Sequence, residues 1–279
     1  MAENMAWTTS LMSLLKKFFF CTVVEMAFND YKSLCPAVSL PAVLSAAESG
    51  VLIRAAERAA ASIGGYTVDR HQPPYQTRDL PIAVVLEKGF NDDASRKQAV
   101  AAYERLLRDI TTHLSQRCGG LNLSLSVKDG FLIRYEDNST ALLDEYGVEP
   151  QPGLPKHTDA SYFSATVVLS SGDLIGSATS QGEAAVAQPF TDFSGGGTRF
   201  HHPDGSRWTT LHPGLGGAVV HGGGVPHEAL PVTRGSRYVL ALFLAPEECT
   251  LGPAVLEESL FILVGLFLAA IVAYVGLVA

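Results

Sequence analysis

Positive charge is scarce in this chain of 279 residues: 20 Lys and Arg stand against 28 Asp and Glu, a formal net charge of −8. A protein that tracks a phosphate backbone carries a basic patch or stripe, so nucleic-acid binding is excluded as a leading function. The interleaved aromatic and basic residues that stack single-stranded bases are missing too. Cysteine is equally sparse. Cys21, Cys35, Cys118 and Cys249 lie far apart and make no CxxC pair, which argues against a zinc site and leaves the redox compartment undecided. The last scarcity is local: no Lys or Arg follows Arg237, and Ser259 to Ala279 carries no charge at all.

That uncharged run, SLFILVGLFLAAIVAYVGLVA, has the length a helix needs to cross a bilayer. A buried core helix would keep a polar stripe, which this run lacks. Residues 259–279 are therefore expected to be a transmembrane anchor, joined to the rest by a linker over 247–258 with four acidic residues. A cleaved glycolipid-anchor signal would need a secretory signal peptide. Gly265, Ala269 and Ala273 place small residues at helical spacing, the pattern of a helix-pairing face. At the other end, Lys16-Lys17 precede FFFCTVV, and Glu25 soon interrupts it. Residues 1–35 are a leader for which a signal peptide and an unstructured lead-in both stay open. With no Lys or Arg beyond Arg237, the positive-inside rule sets no orientation. The expected location is a membrane, that of the endoplasmic reticulum. The domain faces the cytosol if the protein is tail-anchored and the lumen if the leader is a signal peptide.

Between these ends, 36–246 reads as one domain, with helical support over 36–120 and a β core over 121–246. An Ala-rich helix is expected from about Val43 to Ala61, ended by Gly64-Gly65. Residues 67–79 read as irregular, and Pro81 to Leu86 as a strand. Asp92 or Asp93 is placed to cap a helix running to about Arg117, with Val100, Tyr103, Leu107, Ile110 and Leu114 on its apolar face. From Leu121 the period becomes two, and Asp129-Gly130 reads as a turn before Phe131 to Tyr135. Later strands are expected at Tyr162–Leu169, Thr198–Phe200, Trp208–Leu211, Ala218–His221 and Arg237–Leu244. A loop fills Ser170–Gln188. Short strands with Gly-rich turns predict a mainly β fold with flanking α-helices, an antiparallel jelly roll.

Chemistry concentrates in four residues. Residues i and i+2 of an extended segment point the same way, so His157 and Asp159 can present an imidazole and a carboxylate to one ion. His227, in Pro-His-Glu after the Gly222-Gly223-Gly224 run, completes a two-histidine, one-carboxylate set, the facial arrangement that holds non-haem Fe(II) with open positions. His221 is a rival third ligand, with a strand-end role as its other reading. Arg237 sits in an apolar strand, where an unpaired guanidinium is costly. Its planar fork suits a carboxylate, and Tyr135 could donate to the same anion or simply pack. His71, His113, His201, His202 and His212 read as structural.

Five ordered stretches resemble the Fe(II)/2-oxoglutarate dioxygenases of the prolyl 4-hydroxylase-like branch, with the strongest likeness to the catalytic domain of procollagen lysyl hydroxylases. They are Ile133–Tyr135, His157–Phe163, Gly195–Phe200, Leu211–Gly214 and His227–Tyr238. The resemblance implies a double-stranded β-helix with iron on His157, Asp159 and His227. It implies 2-oxoglutarate clamped by Arg237, ascorbate as reductant, and O2 consumed to hydroxylate an unreactive C–H bond with release of succinate and CO2. Retention of Asp159 points to hydroxylation rather than halogenation. The expected substrate is a peptidyl Pro or Lys side chain; a lipid or other small molecule, and a non-catalytic 2-oxoglutarate-binding module, are the alternatives. Two departures stand out: Ala229 replaces the motif's Gly, and the large glycosyltransferase region is missing.

Overall fold

The computed structural model describes residues 35–117, 124–137, 143, 147, 149–172, 192–202 and 204–247. The leader before Cys35, most of the expected Ser170–Gln188 loop, and the stretch 259–279 lie outside them. Among the described residues, no helix is long and apolar enough to cross a membrane.

The chain begins with strand β1 (Val38–Leu40) and then α1 (Ala46–Ile63). A reciprocal capping box starts α1: the Glu48 backbone N–H donates to the Ser45 hydroxyl, and the Glu48 carboxylate accepts from the Ser45 backbone. Gly64 ends it in the left-handed conformation, φ 88°. Strand β2 (Asp79–Pro81) leads into α2 (Ile82–Lys88). The strand expected at Pro81–Leu86 is thus a short helix, because a brief apolar run has no periodicity that separates strand from buried helix. Helix α3 (Asp93–Arg117) follows, its first turn capped by the Asp92 carboxylate accepting from the Ser95 N–H. Its most buried face is Ala99, Ala102, Leu106, Ile110 and Leu114. Val100, Tyr103 and Leu107, expected at the centre, lie a step round the helix; Tyr103 and Leu107 pack at the edge of the core.

The remaining strands are β3 (Leu125–Glu136), β4 (Leu154–His157), β5 (Phe163–Val168), β6 (Phe193–Gly195), β7 (Thr198–His201), β8 (Trp208–Leu211), β9 (Ala218–Gly222), β10 (His227–Ala229) and β11 (Val232–Pro246). A seven-stranded sheet runs β1-β9-β5-β11-β3-β2, with β6 also on β11; a four-stranded sheet runs β4-β10-β7-β8. All the pairings between named strands are antiparallel. The architecture is a jelly roll with helices against the larger sheet.

Asp129-Gly130 is not a turn: both residues lie within β3, opposite Phe243 and Leu242 of β11. Gly130 is there for space. A Cβ at that position would come within 3.1 Å of Ile82 and Leu242 side-chain carbons.

Period-two alternation on β11 divides its residues between two cores. Leu240, Leu242 and Leu244 face the helices, in a core with Leu52, Leu106 and Ile110. Arg237, Val239, Ala241 and Phe243 face the other way, into a cleft they share with Phe131, Ile133 and Tyr135 of β3. This alternation aims Arg237 at the cleft.

Candidate metal and carboxylate site

The smaller sheet brings the metal-ligand candidates together by register. His227 on β10 pairs directly with His157 on β4, and on its other side with Phe200 of β7. Asp159 follows β4, held by its N–H donating to the Gly223 carbonyl at 2.8 Å. Gly223 is required for that approach, since a Cβ would lie 2.0 Å from the Ser161 carbonyl oxygen. One ligand atom each from His157, Asp159 and His227 falls within 4.8 Å of the others.

The ring orientations suit a cation. His157 Nδ1 lies 2.8 Å from the Pro155 carbonyl and His227 Nδ1 lies 2.9 Å from that of Val225. With Nδ1 as donor, each ring turns an unprotonated Nε2 toward Asp159, at 3.5 and 3.7 Å. Oδ2 of Asp159 accepts from the Ser164 hydroxyl, which also contacts Ser161. Burial would raise the Asp159 carboxyl, but the adjacent His157, then His227 and His221, and the Ser164 hydroxyl hold it well below the usual carboxylate range. Burial and then His221 push His227 down to about 3, keeping it neutral. At His157, burial works downward, yet the neighbouring Asp159 carboxylate and the Pro155 carbonyl prevail and raise it. An ionised carboxylate beside the neutral His227 imidazole suits a divalent metal, which competes with the proton for His157 Nε2.

His221 is 1% exposed, directs Nδ1 at the Gly222 carbonyl, and stands 4.0 Å from Asp159. It lies outside the three-ligand cluster, with its ring edge-on to His227 at 4.5 Å.

The cleft has a volume of about 200 Å³. It extends from the three ligands past Ser164 and Thr166 to Tyr135 and Arg237. Arg237 is 2% exposed, and among the described residues no carboxylate lies within ion-pair distance of it. Burial lowers its pKa, which only the Tyr135 side chain offsets. Its guanidinium carbon is 5.8 Å from the Tyr135 ring centre, its cross-strand partner. Burial pushes the Tyr135 phenol up to about 12, so it remains a potential donor at neutral pH. A buried cation without a counter-ion, opening on the cleft that holds the ligand triad, fits an anionic cosubstrate.

Two histidines read from sequence as structural belong to this region. His71 lines the cleft and packs its ring on Phe131 at 5.0 Å. His212 lies against the Gly195-Gly196-Gly197 turn behind Arg237. His71 falls in no local motif and the Leu211–Gly214 stretch by itself gives His212 no role, so only the chain path reveals them. Tyr75, 41% exposed, also lines the cleft, 5.5 Å from the His157 ring. His201 conforms to expectation, pairing with Glu228 on the neighbouring strand.

No family model matches the chain. The Pseudomonas putida prolyl-4-hydroxylase structure superposes with a TM-score of 0.45 and 19% identity, covering 80% of this chain and 98% of that one. The epimerase SnoN of nogalamycin biosynthesis, described as non-haem and alpha-ketoglutarate-dependent, gives 0.48 and 15%, with 81% of each chain covered. Human procollagen-lysine,2-oxoglutarate 5-dioxygenase 1 is 32% identical over 112 residues, 38% of this chain and 12% of that protein. The rat multifunctional procollagen lysine hydroxylase and glycosyltransferase LH3 is 32% identical over 107 residues, 36% of this chain and 11% of that protein. The chain thus matches only about an eighth of the length of these curated relatives, and over that stretch it is similar in sequence to 2-oxoglutarate-dependent lysyl hydroxylases of procollagen.

Proposed function

We propose that the protein is an Fe(II)- and 2-oxoglutarate-dependent dioxygenase. The observation that carries this reading is the cleft holding both the His157–Asp159–His227 cluster and the unpaired Arg237. The three side chains would hold the metal on one face. The 2-oxo acid end of the cosubstrate would bind beside them, and its far carboxylate would meet Arg237, with Tyr135 as a second donor. When bound, the metal supplies O2 activation coupled to loss of CO2 from the cosubstrate. The overall change balances: a substrate C–H, O2 and 2-oxoglutarate give C–OH, succinate and CO2. The chain's own residues orient the ligands through the Pro155 and Val225 carbonyls. They also fix Asp159 through Ser164 and line the cleft with Phe131, Val239 and Phe243, which limits water. Ascorbate would act as the reductant that keeps the iron in the Fe(II) state.

The substrate reading is a peptidyl Pro or Lys side chain, supported by the similarity to procollagen lysyl hydroxylases. The uncharged run 259–279 supports membrane attachment, and with it the alternative of a lipid or other small molecule. Cys35 is disulfide-bonded, which favours an oxidising compartment and so a lumenal domain. Protease protection on intact microsomes tests the side: a domain digested without detergent refutes the lumenal reading. For the activity, purified protein given Fe(II), ascorbate and 2-oxoglutarate is expected to release succinate, and Asp159→Ala is expected to release none. Equal succinate from the two refutes the proposed chemistry. Tight 2-oxoglutarate binding without succinate on any peptide or lipid would instead identify a binding module.

A further inference from the structure

Arg237 borders two cavities. One is the cleft with the metal ligands; the other, of about 210 Å³, lies behind it and is lined by Ser170, Ser171, Phe193, His212 and Arg237 among others. Beside Arg237 and His212 runs the Gly195-Gly196-Gly197 turn, whose three residues have φ of 78°, 72° and 102°. Side chains rarely adopt such angles. Here they would also collide: a Cβ on Gly196 would lie 3.0 Å from the Arg237 Cδ, and one on Gly197 would lie 2.4 Å from the His212 ring. The turn is thus shaped to let the Arg237 stem and the His212 imidazole close in on either side of bare backbone. Ser170 is 1% exposed, and its oxygen accepts from the Tyr238 N–H at 2.9 Å, which leaves its hydroxyl hydrogen to donate elsewhere.

We propose that His212 and Ser170 complete the seat for the anion whose main partner is Arg237, binding the far carboxylate of the cosubstrate from behind the glycine turn. This rests on the cosubstrate reading above. The guanidinium supplies two parallel donors, and the imidazole and the hydroxyl supply one each to the outer lone pairs. In the ligand-free protein, burial and the Arg237 charge keep His212 deprotonated. A carboxylate between the imidazole and the guanidinium reverses that second effect. His212 lines the second cavity and not the cleft that holds the ligand triad, so its contact is with the far carboxylate alone.

Calorimetry on the full chain loaded with Mn(II), which cannot turn over, tests this with two probes. 2-Oxoglutarate carries the far carboxylate; oxalate chelates the metal and lacks it. In His212→Ala, 2-oxoglutarate is expected to bind at least tenfold more weakly while oxalate affinity stays within twofold of wild type. His212→Asn, which keeps a donor, is expected to restore part of the loss, and Ser170→Ala to lose severalfold. Unchanged 2-oxoglutarate affinity in His212→Ala overturns the proposal. So does an equal loss for both probes, which would assign His212 to the metal site or the fold at large. Wild-type protein that binds oxalate but not 2-oxoglutarate overturns the cosubstrate reading as well, a result distinguishable from failure of the His212 assignment alone.

Discussion

Replacing Arg237 with Met separates stability from function, because among the described residues the guanidinium has no counter-ion. A buried charge costs several kcal/mol even after relaxation. The Tyr135 ring, 5.8 Å away, returns about 0.5–2 kcal/mol of that. Met keeps most of the stem that packs against Gly196 and removes the charge. By analogy with buried charges replaced by apolar side chains, the ligand-free variant is expected to gain roughly 1–3 kcal/mol. For a domain of this size that is a rise of about 2–4 °C in melting temperature per kcal/mol. Cosubstrate binding moves the opposite way. Two charge-assisted hydrogen bonds, each worth about 1.5–3 kcal/mol, are lost, weakening Kd by roughly 10²–10⁴-fold. Thermal melts with Mn(II), with and without 2-oxoglutarate, read both effects. At a hundredfold excess over Kd the wild type is expected to gain about 2.7 kcal/mol from the ligand, and the variant almost nothing. A ligand-free Arg237→Met that melts below the wild type refutes the reasoning, since it would mean that Arg237 already has a stabilising partner.

Three further outcomes follow from particular contacts. Ser164→Ala removes the hydroxyl that fixes Asp159 Oδ2 and is expected to weaken metal binding about 10–100-fold, as losses around metal ligands commonly do; metal titration checks it. Gly197→Ala forces a side chain to φ 102° and into the His212 ring, and is expected to cost about 2–4 kcal/mol in urea unfolding, whereas Gly205→Ala, with open space around it, should cost only about 1 kcal/mol. Hydrogen bonds from Arg105 and Ser45 pull the Glu48 carboxyl from 4.5 down to about 2. A depressed carboxyl stabilises the fold above its unfolded pKa and loses that contribution as pH falls through the folded one. The stability of the wild type over Glu48→Gln, about 1 kcal/mol, is therefore expected to be constant above pH 5 and to vanish by about pH 2 in pH-dependent urea melts.

Local pattern made much of the architecture legible. The Ser45 to Gly64 helix, the long helix after Asp92 and the strands Phe163–Val168 and Trp208–Leu211 follow from caps, glycines and period-two runs that act within a few residues. Two segments were not legible for physical reasons. The five apolar residues that open Ile82–Lys88 carry no period, and packing against α1 and α3 makes the segment helical. Gly130 looked like a turn glycine, but its role is set by Ile82, Leu242 and Tyr103, residues far away along the chain.

The sequence by itself determined the ligand types. Two histidines and a carboxylate in an apolar β framework, with an arginine on the inward phase of a strand, specify a metal and an anion, because alternation along a strand fixes which side chains share a face. Tertiary structure alone decided the rest. Strand register set His227 opposite His157 and left His221 behind them, while the glycine turn brought His212 up to Arg237. Which groups meet depends on the pairing of segments far apart in the chain, such as β4 and β10, where His157 pairs with His227. No local propensity encodes that pairing; the burial of both sheets' inner faces against each other does.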